Sequence, residues 1–322
     1  MDSTITINHQ RISYIDQIKG FAIFLVVIGH SLENLLPGNP PGGILRELIY
    51  SFHMPLFFMI SGMLFHTPIN LWTAIKKKFI KLIVPFIIWG ILFSLYLYGN
   101  LSDFFIEGKV HHMWFIIILF ECYLVHNLIN LCFKRLHIRP QYEIMAFIFI
   151  IFLMEIIKRI TNPSYSLISF TQFTVMYRFY VLGYFFKFLT KEVNHKSIII
   201  LFIASFITTF IYNHYHTANI ITFTICAISG SMLLYSIFKY NILHITKQNL
   251  RRLEYLGKYS IFFYLGHMFF LKYKLIDTST LSEFFIIFLA IIITLTILFI
   301  MNYLLKVVLK NRVCSFLLLG RN

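Results

Sequence analysis

The sequence predicts an all-α polytopic membrane protein with about ten transmembrane helices and both termini in the cytoplasm. Its 322 residues are 58% hydrophobic and only 13% charged, which is too apolar for a chain that hides its hydrophobic surface inside a water-soluble globule. Apolar runs long enough to cross about 30 Å of hydrocarbon follow one another with short polar breaks between them. The basic residues collect in alternate breaks, as the positive-inside rule expects of a multi-pass chain.

Ten helices follow from the apolar runs and from the polar, glycine and proline residues that separate them. The first run follows a polar stretch of about a dozen residues and lacks a small-residue cleavage site, so we expect it to be retained as a helix. Most of the 28 Lys and Arg residues then fall on the side that holds both termini. We expect one membrane domain over residues 1–322, with short cytoplasmic tails at about 1–12 and 308–322. The ten predicted helices cover residues 14–36, 44–66, 79–99, 112–133, 142–160, 169–188, 197–214, 218–238, 255–274 and 283–307.

Composition also excludes several classes of protein. The formal charge of +15 would suit a nucleic-acid binder, but the basic residues lie in short loops without an aromatic-interleaved patch. The four cysteines show no paired spacing, so neither a disulfide framework nor a zinc site is predicted. We therefore expect the lipid bilayer as partner, no nucleic acid and no permanently bound cofactor. A homo-oligomer is compatible with the sequence.

Charged side chains inside the first predicted helix point to function, because a cation in a membrane span is costly unless it is paired or faces a wet cavity. Asp16 and Lys19 share a face at a spacing of three, and a structural ion pair is their simplest interpretation. His30 follows Lys19 by eleven residues, almost three turns, so it continues the same stripe about 16 Å farther along. Glu33 lies one turn beyond His30, where it could orient the imidazole as a base.

Histidines on other predicted helices fall at a similar depth. His53 opens the second helix, His112 opens the fourth, and His267 lies in the outer half of the ninth. Together with His30 they predict one outward-facing cavity lined by imidazoles, although a single buried histidine is more often a packing residue. A metal site is not predicted, because no two of these histidines have the short spacing typical of metal ligands.

The ninth predicted helix places a hydroxyl, a phenol and an imidazole on one face, because Ser260, Tyr264 and His267 recur at i, i+4 and i+7. This pattern suits a cavity wall, and it equally suits hydrogen bonding between helices. Arg178, in the sixth predicted helix, is the second cation inside a span and so a further candidate for function.

Short strings between residue 11 and about 270 match, in order, the motifs of a known family. They are Tyr14–Gly20 with Gly29-His30-Ser31, Phe52–Gly62, Lys77–Pro85, His112–Phe115, Arg178 before Gly183-Tyr184, and Gly257–Ser260 with Tyr264–His267. By these strings the chain resembles the acyltransferase family 3 membrane proteins, particularly the branch described as fucose or sugar O-acetylases. Many members carry arginine where Lys19 stands, and lysine keeps the charge but not the bidentate fork.

The resemblance implies acyl transfer, typically of acetyl from cytoplasmic acetyl-CoA, to a hydroxyl of a cell-surface glycan or its lipid-linked precursor at the outer side of a bacterial inner membrane. On this hypothesis His30 removes the acceptor proton and Glu33 orients its ring. Lys19 or Arg178 stabilises developing negative charge or holds the donor. A covalent acetyl-histidine relay is the alternative, which nothing in the sequence excludes.

The remaining candidate residues divide between the donor and the acceptor. Asp16 is grouped with the donor-binding or charge-stabilising residues, together with Lys78 and Lys81, whose ammonium groups suit CoA phosphates; their alternative role is simple topology charge. The residues assigned to the cavity wall or to acceptor binding are His53, Ser61, His112, Trp114, Ser260, Tyr264 and His267. The competing class is a transporter or flippase of a lipid-linked sugar or organic anion, because buried Lys, Glu and His also form proton relays.

Overall fold

The computed structural model describes residues 11–35, 43–99, 113–161, 170–189, 195–216, 219–271 and 281–321, and every regular element in these ranges is helical. The all-α class predicted from the apolar runs is therefore confirmed. Numbered in chain order, the helices are α1 (Ser13–Leu35), α2 (Gly43–Tyr50), α3 (His53–Met63), α4 (Leu71–Tyr98), α5 (Trp114–Arg135), α6 (Pro140–Thr161), α7 (Phe170–Leu189), α8 (His195–Tyr215), α9 (Ile220–Tyr240), α10 (Lys247–Lys258), α11 (Ser260–Gly266), α12 (Met268–Leu271), α13 (Glu283–Lys310) and α14 (Arg312–Leu319).

Among the residues that the structure describes, six helical stretches are long and apolar enough to cross a membrane, as expected for a multi-pass membrane protein. Two further apolar helices, Ile199–Tyr215 and Ser260–Leu271, are shorter. The number of ten spans and the cytoplasmic position of both termini stay predictions. The six stretches are Ser13–Leu35, Gly43–Met63, Leu71–Tyr96, Trp114–Arg135, Ile220–Tyr240 and Glu283–Lys310.

The second predicted helix is divided into α2 and α3 by a break at residues 51–52. Pro55 accounts for the break, because proline has no N–H to bond the carbonyl of Ser51 and its ring crowds that carbonyl, whereas proline is tolerated in the first turn of a new helix. The short helix α2 packs against α1 as a separate element. This division gives the side chains of α2 a direction that one continuous helix would not have given them.

Helix α4 begins at Leu71, eight residues earlier than predicted. Asn70 caps it, since its side chain accepts a hydrogen bond from the N–H of Thr73 at 3.0 Å. Lys78 and Lys81 therefore lie on the helix itself. Apolar character predicts a start at residue 79, because the first turns of the helix, between Asn70 and the apolar run, are rich in lysine.

The ninth predicted helix, 255–274, corresponds to the end of α10 followed by α11 and α12, with a break at Tyr259, whereas His267 between α11 and α12 keeps helical dihedral angles. Residues 272–274 lie outside the described residues. The N–H of Tyr259 is shared between the carbonyls of Tyr255 at 3.3 Å and Leu256 at 3.2 Å, which tightens the last turn of α10. The amphipathic α10 lies along α1, and α11 continues towards the far end of α1. One stretch of chain thus follows α1 along much of its length.

Glycines allow α1 and α10 to meet backbone to backbone. A Cβ atom at Gly20 would overlap the carbonyl oxygen of Leu253, and one at Gly257 would overlap the carbonyl oxygen of Asp16. Without a side chain at either position the two backbones come into direct contact, which adds van der Waals attraction along the helix pair. The reciprocal contact holds Asp16 and its neighbours at a set distance from α10.

A second reciprocal glycine contact joins α3 and α7. A Cβ atom at Gly62 would overlap the carbonyl oxygen of Tyr180, and one at Gly183 would overlap the carbonyl oxygen of Met59. Two of the motif strings, Ser61-Gly62 and Gly183-Tyr184, therefore contain residues that set helix packing.

Helix α14 lies within the segment expected to be a cytoplasmic tail, and it packs against α4. The indole N–H of Trp89 donates to the carbonyl of Leu318 at 3.1 Å, and Leu319 is buried. Gly320 ends the helix with a φ of 61°, a conformation that favours glycine, and its Cα faces the backbone of Ile80 and Lys81. The chain is thereby fixed at the lysine-bearing part of α4.

Candidate active site

His30, near the end of α1, is linked to Glu33 through a tyrosine of α2. The Tyr50 hydroxyl lies 3.0 Å from His30 Nδ1 and donates to Glu33 Oε2 at 3.0 Å. The direct separation of His30 Nδ1 and Glu33 Oε2 is 3.4 Å, beyond the usual range of a hydrogen bond. The orienting contact expected between Glu33 and His30 therefore runs mainly through Tyr50.

The hydrogen-bond directions follow from the chemistry of the three groups. An ionised carboxylate only accepts, so the Tyr50 proton points to Glu33 and the Tyr50 oxygen accepts from the Nδ1–H of His30. In the neutral ring Nε2 then carries the lone pair. This tautomer is the one that a general base requires.

Arg46 completes the group from the first turn of α2. Its Nη2 donates to Glu33 Oε1 at 3.0 Å, and its guanidinium carbon lies 3.9 Å above the centre of the Tyr50 ring. Both oxygens of Glu33 are therefore engaged, one by an arginine and one by a phenol. Charge-assisted bonds of this kind are roughly twice as strong as neutral ones, so they fix the carboxylate in place.

Two further predicted histidines lie beside this group. The His267 ring is 5.3 Å from the His30 ring, and the His53 ring is 4.8 Å from the Tyr50 ring. Both are buried, and each directs Nδ1 to a backbone carbonyl, His53 to Ile49 at 2.8 Å and His267 to Tyr264 at 2.7 Å. Because a carbonyl only accepts, Nδ1 carries the proton in each neutral ring and Nε2 is an acceptor. His30, Tyr50, His53 and His267 are hereafter the histidine group.

The other predicted cavity residues are placed less uniformly. Tyr264 is buried beside the histidine group, with its ring 6.1 Å from that of His267. Ser61 donates to the carbonyl of Phe57 in its own helix at 2.8 Å. No hydrogen bond within the described residues joins Ser61, Ser260 or Trp114 to the histidine group. His112 lies outside the described residues.

Arg178 is buried on α7, away from any ion pair in the described part of the chain. Its Nε donates to the carbonyl of Val175 at 3.1 Å, and its guanidinium lies 5.3 Å from the centre of the Phe179 ring. The hydrogen bond and the ring contact of Arg178 are within its own helix, and Glu155 of α6 is close enough to interact with its charge. None of these contacts brings Arg178 to His30.

The opposite end of α1 is strongly basic. Asp16, which is buried, accepts from Arg11 and lies 3.8 Å from the ammonium nitrogen of Lys19. Lys78 and Lys81 of α4 lie within electrostatic range of Lys19. Arg11, Lys19, Lys78 and Lys81 form what we call the basic end. Its Lys19 is separated from His30 by about 16 Å along the helix axis.

The sequence pattern missed Tyr50 and Arg46 as site residues, because both lie near the start of the second predicted helix and Arg46 was counted only as a charge on its outer side. Their spacing of four on one short helix, directly before Phe52-His53, was the available signal. Within the described residues no three metal-ligating side chains gather at one point. Because His112 is not among these residues, the expected absence of a metal stays a prediction.

Comparisons with known proteins agree with this arrangement of motifs. A family model described as an acyltransferase domain, Acyl_transf_3, matches residues 12–303. The nodulation protein NolL of Sinorhizobium fredii is 26% identical over 212 residues, which are 60% of this chain and 54% of the relative. NolL of Mesorhizobium japonicum is 34% identical over 88 residues, 26% of this chain and 23% of the relative. The chain thus spans about half the length of the first relative, and no solved structure shows a significant match.

Proposed function

Since the chain belongs to the acyltransferase family 3 membrane proteins, we propose that it is an O-acyltransferase that moves an acetyl group from acetyl-CoA to a hydroxyl of a cell-surface glycan or its lipid-linked precursor. The observation that carries the proposal is the chain of contacts from Arg46 through Glu33 and Tyr50 to His30. A base whose tautomer is fixed by an oriented acid is the arrangement that acyl transfer to a hydroxyl needs. The proposed location is a bacterial inner membrane.

In the proposed reaction His30 Nε2 takes the proton of the acceptor hydroxyl while the hydroxyl oxygen attacks the thioester carbonyl. A carbon–oxygen bond forms, the carbon–sulfur bond breaks, and the proton on His30 passes to the departing CoA sulfur. The positive charge that forms on the ring is stabilised through Tyr50 by Glu33, and Arg46 keeps that carboxylate in position.

The two neighbouring histidines bind the acceptor in this proposal. The Nε2 atom of His53 is an acceptor in the neutral ring, so it suits a sugar hydroxyl as donor, and the His267 ring lies beside His30 at 5.3 Å. Their Nδ1 atoms are held by backbone carbonyls, so ring orientation is set before the acceptor arrives. Preorganised contacts of this kind lower the cost of placing the reacting hydroxyl.

The donor is held at the basic end, because phosphates pair with ammonium and guanidinium groups. Lys19, Lys78 and Lys81 lie together there, and Asp16 holds Lys19 on the face that it shares with His30. Arg178 has no assigned contact with donor or acceptor, and its stabilising role stays a prediction.

The proposal is tested with purified protein in lipid nanodiscs, acetyl-labelled acetyl-CoA and a glycan extract from the source membrane. His30→Gln should lower label transfer by about 10²- to 10⁴-fold, the usual contribution of a general base. His66→Gln, at an exposed histidine of the loop before α4, is the matched control and should transfer label as the unmodified protein does. Equal transfer by His30→Gln would remove His30 from the reaction.

Rapid quenching of the same reaction separates direct transfer from a covalent relay. Label on the protein that decays as product forms indicates an acetyl-enzyme, and label that appears only in glycan indicates direct attack. Movement of a lipid-linked sugar across the bilayer without acetylation would instead support the transporter class.

A further inference from the structure

A fifth cation is brought to the basic end by the segment 312–321, which lies outside the region matched by the family model. We propose that Arg321 binds a phosphate of the acyl donor there, together with Lys81. This inference rests on the proposed function, in which the donor is a CoA thioester. It adds a donor-binding residue that none of the motif strings contains.

The position of Arg321 is fixed by two contacts of the preceding residues with α4 and by the burial of Leu319. Trp89 holds the carbonyl of Leu318, Leu319 is 1% exposed, and the backbone at Gly320 lies directly on Ile80 and Lys81. Arg321 is therefore a direct neighbour of the lysine-bearing turn of α4. Electrostatic coupling between Lys81 and Arg321 agrees with this placement.

The guanidinium of Arg321 is itself oriented. Its Nη2 donates to the carbonyl of Lys258 at 2.7 Å, and its carbon lies 4.3 Å from the centre of the Tyr259 ring. Guanidinium has five N–H donors in a fixed plane, so these contacts set the plane while using one donor. The remaining donors suit a phosphate, which arginine binds with two parallel hydrogen bonds.

The charge balance of the basic end also calls for an anion. Lys81 lies within electrostatic range of Arg11 and Arg321, and its like-charged neighbours oppose one another. Asp16 is the one carboxylate of the described residues that forms an ion pair with this cluster, and Glu254 nearby accepts from Ser13. A ligand with several phosphates relieves the repulsion that these cations exert on one another.

Phosphate could come from CoA or from an anionic lipid headgroup, so the experiment uses two membranes. CoA binding is measured by calorimetry in phosphatidylcholine nanodiscs. The proteins compared are the unmodified protein and the variants Arg321→Gln, Arg321→Lys and Arg312→Gln. We expect Arg321→Gln to weaken CoA binding by about 10- to 100-fold, the value of a charge-assisted contact, and Arg321→Lys to lie between. Arg312 is exposed at the start of α14, the helix that ends just before Arg321, so Arg312→Gln should bind CoA as the unmodified protein does.

Other results of the titration would contradict the inference in different ways. Equal CoA binding by Arg321→Gln and the unmodified protein overturns the role of Arg321 and leaves the proposed function standing. Absence of CoA binding by the unmodified protein overturns the donor assignment and this inference with it. The lipid is tested by measuring melting temperatures of the unmodified protein and Arg321→Gln in phosphatidylcholine and in phosphatidylglycerol nanodiscs. If phosphatidylglycerol stabilises only the unmodified protein and both bind CoA equally, the phosphate bound by Arg321 belongs to a lipid headgroup and the inference is overturned.

Discussion

Replacement of Tyr50 by Phe should slow the reaction without weakening donor binding. The change removes one oxygen and keeps the ring under the Arg46 guanidinium, whose carbon lies 3.9 Å from the ring centre. His30 Nδ1 would then face Glu33 Oε2 at 3.4 Å, too far for a good hydrogen bond. A hydrogen bond to a charged group contributes about 1.5–3 kcal/mol. At 1.36 kcal/mol per tenfold, kcat should fall by about 10- to 150-fold.

The assay is the initial rate of labelled acetyl transfer at saturating acceptor, measured over a range of acetyl-CoA concentrations. We expect kcat to fall and the KM for acetyl-CoA to stay unchanged, because Tyr50 lies at the histidine group and the donor phosphates bind at the other end of α1. Tyr303→Phe, at a phenol of α13 that is 66% exposed, serves as matched control. A Tyr50→Phe protein with kcat within twofold of the control, or a loss found entirely in KM, would refute the proposed link between Glu33 and His30.

Three further outcomes are expected. Gly62→Ala should lower the melting temperature in detergent by several degrees, because the added Cβ meets a backbone carbonyl of the facing helix. The control Ser61→Ala loses one hydrogen bond within its own helix and should lower the free energy of unfolding by about 1 kcal/mol or less. Equal melting temperatures of the two variants would contradict this packing. His214→Ala should lower kcat by about two- to fivefold, because the His214 ring is hydrogen-bonded to Glu47 of α2 at 2.7 Å and a hydrogen bond of this kind contributes about 0.5–1 kcal/mol. An unchanged kcat would show that α2 is held without it. Ile69→Cys, at a fully exposed residue of a loop predicted to be cytoplasmic, is made in a protein whose own cysteines are replaced. The new cysteine should react with a membrane-impermeant maleimide only after the membrane is permeabilised. Labelling in intact cells would show that the predicted orientation is wrong.

The sequence could predict what a single helix contains. The stripe from Lys19 to Glu33 follows from the helical period of 3.6 residues. Its position on one helix could therefore be predicted without knowing which other helices pack against it. The neighbours of that stripe depend on tertiary packing. Tyr50 reaches His30 because α2 is cut from α3 by Pro55 and packs against α1, a fact that no hydropathy pattern contains.

The motif strings were informative for two different physical reasons. His30 and His53 carry side chains that lie at the site, whereas Gly62 and Gly183 carry none and permit two helices to touch. From sequence alone these two causes look alike, since both produce a short string of set residue types. Ser61 illustrates both: it is predicted to line the cavity, which stays a prediction, and its hydroxyl donates to the carbonyl of Phe57 beside the close glycine contact.

Helix α1 fixes the distance between the basic end and His30. On the proposed function, a donor anchored by its phosphates near Lys19 reaches His30 only if its acyl carbonyl hangs on an arm of about 16 Å. Acetyl phosphate carries its carbonyl next to the phosphate and falls short, whereas CoA carries its thioester at the end of a long pantetheine chain. On this proposal the enzyme selects donors by the distance between their phosphate groups and their acyl carbonyl.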